Sequence, residues 1–469
     1  MPASSRKISF WYCIVVVIFG VSAITAAAQT RPFLQDIQVV RDEPQPAASA
    51  TPLIKKTSSV DAVKPASISF SPIVTTIPVL ESMAIPGYSG ILVETVDGEP
   101  VVESGSNLTY NPASNVKIAT TYAILKTFGP NYRFATSVWT DGSWDEPTGT
   151  IHGNLYISGR DPVFGYEHAI ELAQELNRMG IRSVEGDLIV TDNFAMNYST
   201  SPTASGRTLF ASLDSAKRSA AANRVWQNFL INSGRLSQTT IQSPSIAFTG
   251  SVYVQSMPSN AKLIFSHESA PLREIVKAMM CFSNNFLAER LGDMVGGPYG
   301  VARLVQQNAG LQPAEFYIQT SSGLGVNRVT PAAMMKLLRV LRSDLARYRM
   351  TFADVMPVAG VDKGTLEGRF DSDFATGSVI GKTGTLGRTD GGVSALAGEI
   401  NTRGGRLLFV ILNQRGSVSR FRSFQNLYIA TIQGQFGGAA PISYNHISLD
   451  HRLSKTKFSY PEGRTMGSE

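Results

Sequence analysis

The stretch Asn111-Pro112-Ala113-Ser114-Asn115-Val116-Lys117 opens a helical pattern that runs to Phe128 and closes at Gly129-Pro130. Val116, Ala119, Ala123 and Ile124 fall on one face at helical spacing. Ser114 and Lys117 are three residues apart, so a helix that starts at Ser114 puts both side chains on one side of it. A serine hydroxyl is a poor nucleophile until a base takes its proton. A lysine amine can do so only as the neutral form, which requires burial or a neighbouring cation to bring it below its usual pKa of about 10.4. The start of the helix also leaves backbone N–H groups available to hold an oxyanion.

Ser-x-x-Lys alone is a common accident. Two later strings change its weight. Ser283-Asn284-Asn285 lies inside a helical pattern predicted over Pro271–Met294, where Leu272, Ile275, Val276 and Met279 precede it and Phe286, Leu287 and Leu291 follow. Ser283 offers a hydroxyl to pass a proton to a leaving group. Asn285 offers an amide to hold Lys117 and a substrate carbonyl. Lys382-Thr383-Gly384 sits in a predicted strand from Ser378 to Gly384. Lys382 would place a cation beside that strand. The small Gly384 would let an extended peptide lie along its edge, and Thr383 and Thr385 would supply hydroxyl and N–H donors to a substrate carboxylate and an oxyanion, which is recognition by strand addition. Each string alone is better read as ordinary structure. The ordered set points to acyl transfer by a serine with a lysine base.

Outside these strings, Arg6 and Lys7 precede an apolar run from Ile8 to about Ala28 that ends in Ala26-Ala27-Ala28. This is the pattern of a secretory signal, and cleavage there would deliver the chain to the periplasm. An uncleaved anchor is the rival reading. Cys13 lies in that segment, so the exported chain keeps only Cys281 and forms no internal disulfide. The formal charge of +6 is spread without a dense Lys/Arg tract, which argues against nucleic acid. The five histidines show no His-Glu-x-x-His or similar spacing, so neither a metal nor another cofactor is expected. Residues 29–84 read as a linker or arm and 439–469 as a weakly ordered tail. Residues 133–265 carry short alternating runs punctuated by Gly, Asp and Asn, and read as an inserted β-rich domain. That insertion splits a catalytic domain into 85–132 and 266–438.

The ordered motifs resemble those of the penicillin-interacting serine enzymes, and more narrowly those of the peptidase S13 D-alanyl-D-alanine carboxypeptidase/endopeptidases, the class C low-molecular-mass penicillin-binding proteins. Ser321-Ser322-Gly323-Leu324, Asn327-Arg328-Val329-Thr330-Pro331, Pro357-Val358-Ala359-Gly360-Val361-Asp362, Lys382-Thr383-Gly384-Thr385-Leu386 and Gly392-Val393-Ser394-Ala395-Leu396-Ala397-Gly398 carry the likeness. The resemblance implies an α/β (α+β) fold: a split β-lactamase/transpeptidase-like domain, with an antiparallel sheet flanked by helices and an inserted domain. It implies Ser114, Lys117, Ser283, Asn285 and Lys382 as catalytic residues, and Thr383, Gly384 and Thr385 as substrate-binding ones. Peptidoglycan stem peptides and β-lactams are the expected ligands. Arg160-Asp161-Pro162 resembles a Gly-Asp-Pro linked in the family to recognition of the stem's diamino acid, which makes Asp161 a further candidate. A turn residue before proline is the plainer reading of Asp161. Residues 387–391, Gly-Arg-Thr-Asp-Gly, lengthen the turn after the Lys-Thr-Gly strand, and Thr320-Ser321 stands where Asp-Gly is usual.

Two other functions stay open on the sequence. A β-lactamase shares the acylation step, but no Glu-x-x-Leu-Asn lies between Ser283 and Lys382 to activate water. A non-catalytic wall-binding protein would need a decayed site. The sequence leaves open the balance between carboxypeptidase and endopeptidase, the oligomeric state, and whether the arm associates the protein with the membrane or the wall.

Overall fold

The computed structural model describes residues 73–236 and 243–461. The predicted signal segment lies outside the described residues. Six antiparallel strands form the main sheet, in the order Val74–Thr75, Pro100–Ser104, Tyr88–Thr95, Gly405–Gln414, Val393–Thr402 and Val379–Leu386. Chain segments from before and after the long middle region therefore share one sheet.

The strand Gly405–Gln414 shows why this sheet is covered on both faces. Its run Leu407-Leu408-Phe409-Val410-Ile411-Leu412 is apolar throughout, yet successive side chains must point to opposite faces. Leu408, Val410 and Leu412 join a core with the helices Val116–Phe128, Leu272–Phe282 and Pro331–Arg347. Leu407, Phe409 and Ile411 join a second core with Phe424, Tyr428, Ile429 and Ile432 of the helix Val418–Gln435. The predicted Asp97-Gly98 hairpin joins Tyr88–Thr95 to Pro100–Ser104, with Gly98 at φ +107°.

The predicted helix over Pro271–Met294 is two helices, Leu272–Phe282 and Asn285–Asp293. They break at Ser283, whose φ of +55° is left-handed. Asn284 then caps the second helix by accepting the Leu287 N–H at 3.0 Å. Apolar periodicity runs straight through this break, because both helices bury the same face, so the break left no mark in the pattern.

The middle region holds a second six-stranded sheet, in which Leu155–Gly159, Leu188–Val190 and Val252–Val254 pair in parallel. Among the described residues it also holds three α-helices, Tyr166–Arg178, Pro202–Leu213 and Ala220–Ser233, beside its strands. The last two helices are rich in Ser, Thr, Asn and Ala and give little periodic signal. The first, with Ala169, Ile170, Leu172, Ala173 and Leu176 buried, was readable.

Residues 29–72 of the expected arm and 462–469 of the expected tail lie outside the described residues, and the described parts of both flanks carry regular structure. In the expected arm, Val74–Thr75 pairs with Pro100–Ser104, and Leu80 of the short helix Pro78–Glu81 is fully buried. In the expected tail, Lys457–Ser459 pairs with Lys262–Glu268. Arg452 of the helix Leu449–Leu453 donates to Glu274 at 2.9 Å. Arg452 looks solvated in sequence, but its partner Glu274 is buried and far away in the chain. Among the described residues, no helix is long and apolar enough to cross a membrane.

Candidate active site

The three strings meet where the helices Val116–Phe128 and Asn285–Asp293 approach the strand Val379–Leu386. Ala113–Asn115 forms one 3-10 turn that feeds the helix Val116–Phe128. Ala113 stands at φ +45°, a costly conformation for a residue with a Cβ, and its N–H is held by Asn111 Oδ1 at 3.0 Å. The turn is clamped from two sides by glycines. A Cβ on Gly384 would lie 2.6 Å from the Pro112 carbonyl oxygen, and one on Gly323 would lie 2.0 Å from that of Ala113. The missing side chain of Gly384 makes room for the nucleophile turn on the face of the strand.

Lys117 is fully buried, and its Nζ lies 3.0 Å from Ser114 Oγ, 2.7 Å from Asn285 Oδ1 and 2.7 Å from the Ser322 carbonyl oxygen. A neutral amine has two N–H donors and one lone pair. In that neutral form, donation to the carbonyl oxygens of Asn285 and Ser322 would aim the lone pair at the serine hydroxyl. Lys382 is also fully buried, with Nζ 2.9 Å from Ser283 Oγ and 2.6 Å from the Thr383 carbonyl oxygen. The left-handed turn at Ser283 presents that hydroxyl just before the helix that carries Asn285. Ser114 itself is partly exposed.

The strand Val379–Leu386 is the edge of its sheet. Its first half is covered: Ala359 donates to the Val379 carbonyl at 2.9 Å, and Gly381 donates to the Pro357 carbonyl at 3.2 Å. Alternate residues of an antiparallel strand turn their backbone groups to the same side, so Thr383 and Thr385 also face outward. The edge beside Ser114 therefore presents the Thr385 N–H and C=O towards a peptide that lies alongside.

The model of the D-Ala-D-Ala carboxypeptidase 3 (S13) family matches residues 79–206 and 209–426. The chain belongs to this family. It is therefore a serine peptidase by descent, and its split domain has the fold of the penicillin-binding proteins. It is 26% identical to the D-alanyl-D-alanine carboxypeptidase of Actinomadura sp. strain R39, across 77% of this chain and 84% of that one. A penicillin G-acylated predatory endopeptidase from Bdellovibrio bacteriovorus superposes with a TM-score of 0.64 at 22% identity, covering 77% of this chain and 96% of the other. Penicillin-binding protein 4 from Haemophilus influenzae, in complex with a β-lactam, superposes with a TM-score of 0.56 at 20% identity, over 77% and 99% of the two chains.

In this S13 peptidase several residues complete the site that the motif reading passed over. Ser322 supplies its carbonyl to Lys117. Glu289 accepts the N–H groups of Ser321 and Ser322 at 3.1 and 2.9 Å and so aims that carbonyl. Glu289 lies four residues after Asn285 on one helix face, a spacing that could have flagged it.

Asp161 is elsewhere. It is 2% exposed, accepts the Val163 N–H at 3.0 Å, and lies beside His267, within a buried group that includes His168 and Glu171. Glu171 is held there by Arg235 at 2.8 Å and by His267 at 3.0 Å. Burial pushes the Asp161 carboxyl up to about 6. No hydrogen bond joins it to the Ser114 group among the described residues. The turn reading of Asp161 fits this placement.

The lengthened turn at 387–391 has a definite task. Asp390, at φ +51°, accepts from Arg328 at 2.8 and 3.0 Å and from Asn111 Nδ2 at 2.7 Å. Asn111 is the residue that holds Ala113, so Asp390 braces the strained nucleophile turn. Partial burial works against its carboxylate, but the hydrogen bonds from Arg328 and Asn111 outweigh it and hold Asp390 below the ordinary carboxylate range. A depressed carboxyl contributes stability above its unfolded-state pKa of about 3.9 and loses it as pH falls through the lower native value. Asp390→Asn should therefore melt below wild type at neutral pH, and the gap should close in acid. A gap that stays constant down to pH 2 in thermal melts would remove this role.

Proposed function

We propose that this protein is a serine-type D-Ala-D-Ala carboxypeptidase and DD-endopeptidase that acts on peptidoglycan stem peptides through an acyl-enzyme on Ser114, and that β-lactams inhibit it by forming the same ester. Ser114 Oγ attacks the carbonyl carbon of the penultimate D-Ala, or of a D-Ala-to-diamino-acid crosslink, while Lys117 Nζ accepts its proton. The N–H groups of Ser114 and Thr385 hold the oxyanion. Ser283, beside the Lys382 ammonium, passes a proton to the leaving amine, and the C–N bond breaks. Water then attacks the ester and frees Ser114. The observation that carries this reading is the single hydrogen-bonded group formed by Ser114, Lys117 and Asn285, next to the Ser283–Lys382 pair.

Export by the N-terminal signal, and work in the periplasm on the wall, belong to the same proposal. Incubation of the purified protein with a stem pentapeptide and with a crosslinked dimer tests it. Release of D-Ala or of monomers that Ser114→Ala abolishes supports the reading. Turnover retained in Ser114→Ala would refute it.

A further inference from the structure

A cavity of about 250 Å³ opens between the C-terminal halves of the helices Val116–Phe128 and Pro331–Arg347. Leu125, Leu341, Leu345 and Tyr348 give it largely apolar walls. Lys126, Asp344 and Arg347 line its polar side. Lys126 donates to Asp344 at 2.9 Å, and Arg347 stands 3.6 Å from the same carboxylate. Two cations against one acid leave that side with a net positive charge, which attracts an anion. The site is separate from the Ser114 chemistry: Lys126 follows Lys117 by nine residues on one helix, roughly 14 Å along its axis.

Tyr122 also lines this cavity. It is 2% exposed, yet among the described residues its hydroxyl has no hydrogen-bond partner. The charges of Asp344 and Arg347 both act on that hydroxyl, so it lies towards the polar side. Burial pushes the phenol up to about 12, so at neutral pH it keeps its proton and is a donor. A buried donor without an acceptor bears its desolvation penalty in full, and an acceptor in the cavity removes it. Water alone would leave the leucine walls unused. An engineered apolar cavity of roughly 150 Å³ takes up benzene, so this one has room for a six-membered ring and a short charged group.

We propose that this cavity is a binding site for a small carboxylic acid with one apolar ring. The ring packs on Leu125, Leu341 and Leu345. The carboxylate accepts from the Tyr122 hydroxyl and sits beside Lys126 and Arg347. Asp344 does not repel it strongly, because Lys126 and Arg347 already balance that charge. Tyr122 is a binding residue at this site and takes no part in acyl transfer.

Calorimetric titration of the purified protein with 3-phenylpropionate tests this, beside 3-phenylpropanamide as its neutral counterpart. The acid should bind wild type, and the amide should bind roughly tenfold more weakly, since it offers no charge. Added salt should narrow that gap. Tyr122→Phe keeps the ring and should melt like wild type, so lost binding would not be lost fold. It should raise the Kd of the acid by roughly tenfold to a hundredfold, the loss of one hydrogen bond to a charged group. Prior saturation with penicillin G should leave the affinity unchanged. No binding of the acid by wild type, an equal Kd in Tyr122→Phe, or an amide that binds as tightly as the acid would overturn the site. Displacement of the probe by penicillin would place it in the Ser114 cleft and overturn the site as well.

Discussion

Lys117→Met should form no detectable penicillin adduct at neutral pH on the timescale on which wild type labels fully. General-base catalysis contributes about 10²- to 10⁴-fold, and here the base lies 3.0 Å from the nucleophile. Methionine nearly fills the lysine's volume, so the helix Val116–Phe128 keeps its packing. It leaves Asn285 Oδ1 and the Ser322 carbonyl without the amine, at about 1–3 kcal/mol for each buried acceptor left unmet. Against that, a buried amine no longer has to be desolvated. The fold should survive, and circular dichroism together with a cooperative melt would show that it does. Acylation of a folded Lys117→Met protein at more than about a tenth of the wild-type rate would mean that another group is the base.

The largest effect on stability should come from Lys277, far from the chemistry. Its Nζ donates to Asp362 Oδ2 at 2.6 Å and to the carbonyls of Ala353 and Met356 at 2.8 and 2.5 Å, and both side chains are almost wholly buried. Asp362 also accepts the Val358 N–H at 2.8 Å and the Tyr444 hydroxyl at 2.9 Å. Lys277→Met leaves that carboxylate buried without its cation, which costs about 3–5 kcal/mol. Chemical denaturation should read the loss as a lower midpoint. Val358 bridges to Ile380, so the covered half of the Lys-Thr-Gly strand should loosen as well. Lys277→Met/Asp362→Leu should recover part of the stability, because no charge is then left unpaired. A single variant that lost under about 1 kcal/mol would show that the pair is solvated in solution.

Local pattern carried the parts of the fold that local forces decide. The 3.6-residue period before Phe128, the hairpin at Asp97-Gly98 and the apolar run at Leu407–Leu412 each correspond to an element of the structure. The three motifs were readable because their residue types imply one chemistry. What was not readable is what distant segments impose on one another. The reversal of φ at Ser283 is invisible in an unbroken apolar face. That Gly384 also leaves room for Pro112 shows only once the nucleophile turn lies against the strand. Asp390 has meaning only once Arg328 and Asn111 are beside it, and Arg452 looks like part of a solvated tail until Glu274 is found. Asp161 came from a motif likeness alone, and its burial beside His267 is decided by segments far from it in the chain.

The most direct test is a time course of labelling with a fluorescent penicillin, run beside Ser114→Ala, with the adduct mapped by mass spectrometry. The prediction is a long-lived covalent adduct on the peptide that contains Ser114, absent from the variant. No adduct in a demonstrably folded protein would contradict the acyl-enzyme mechanism, and an adduct that forms and quickly disappears would make the protein a β-lactamase.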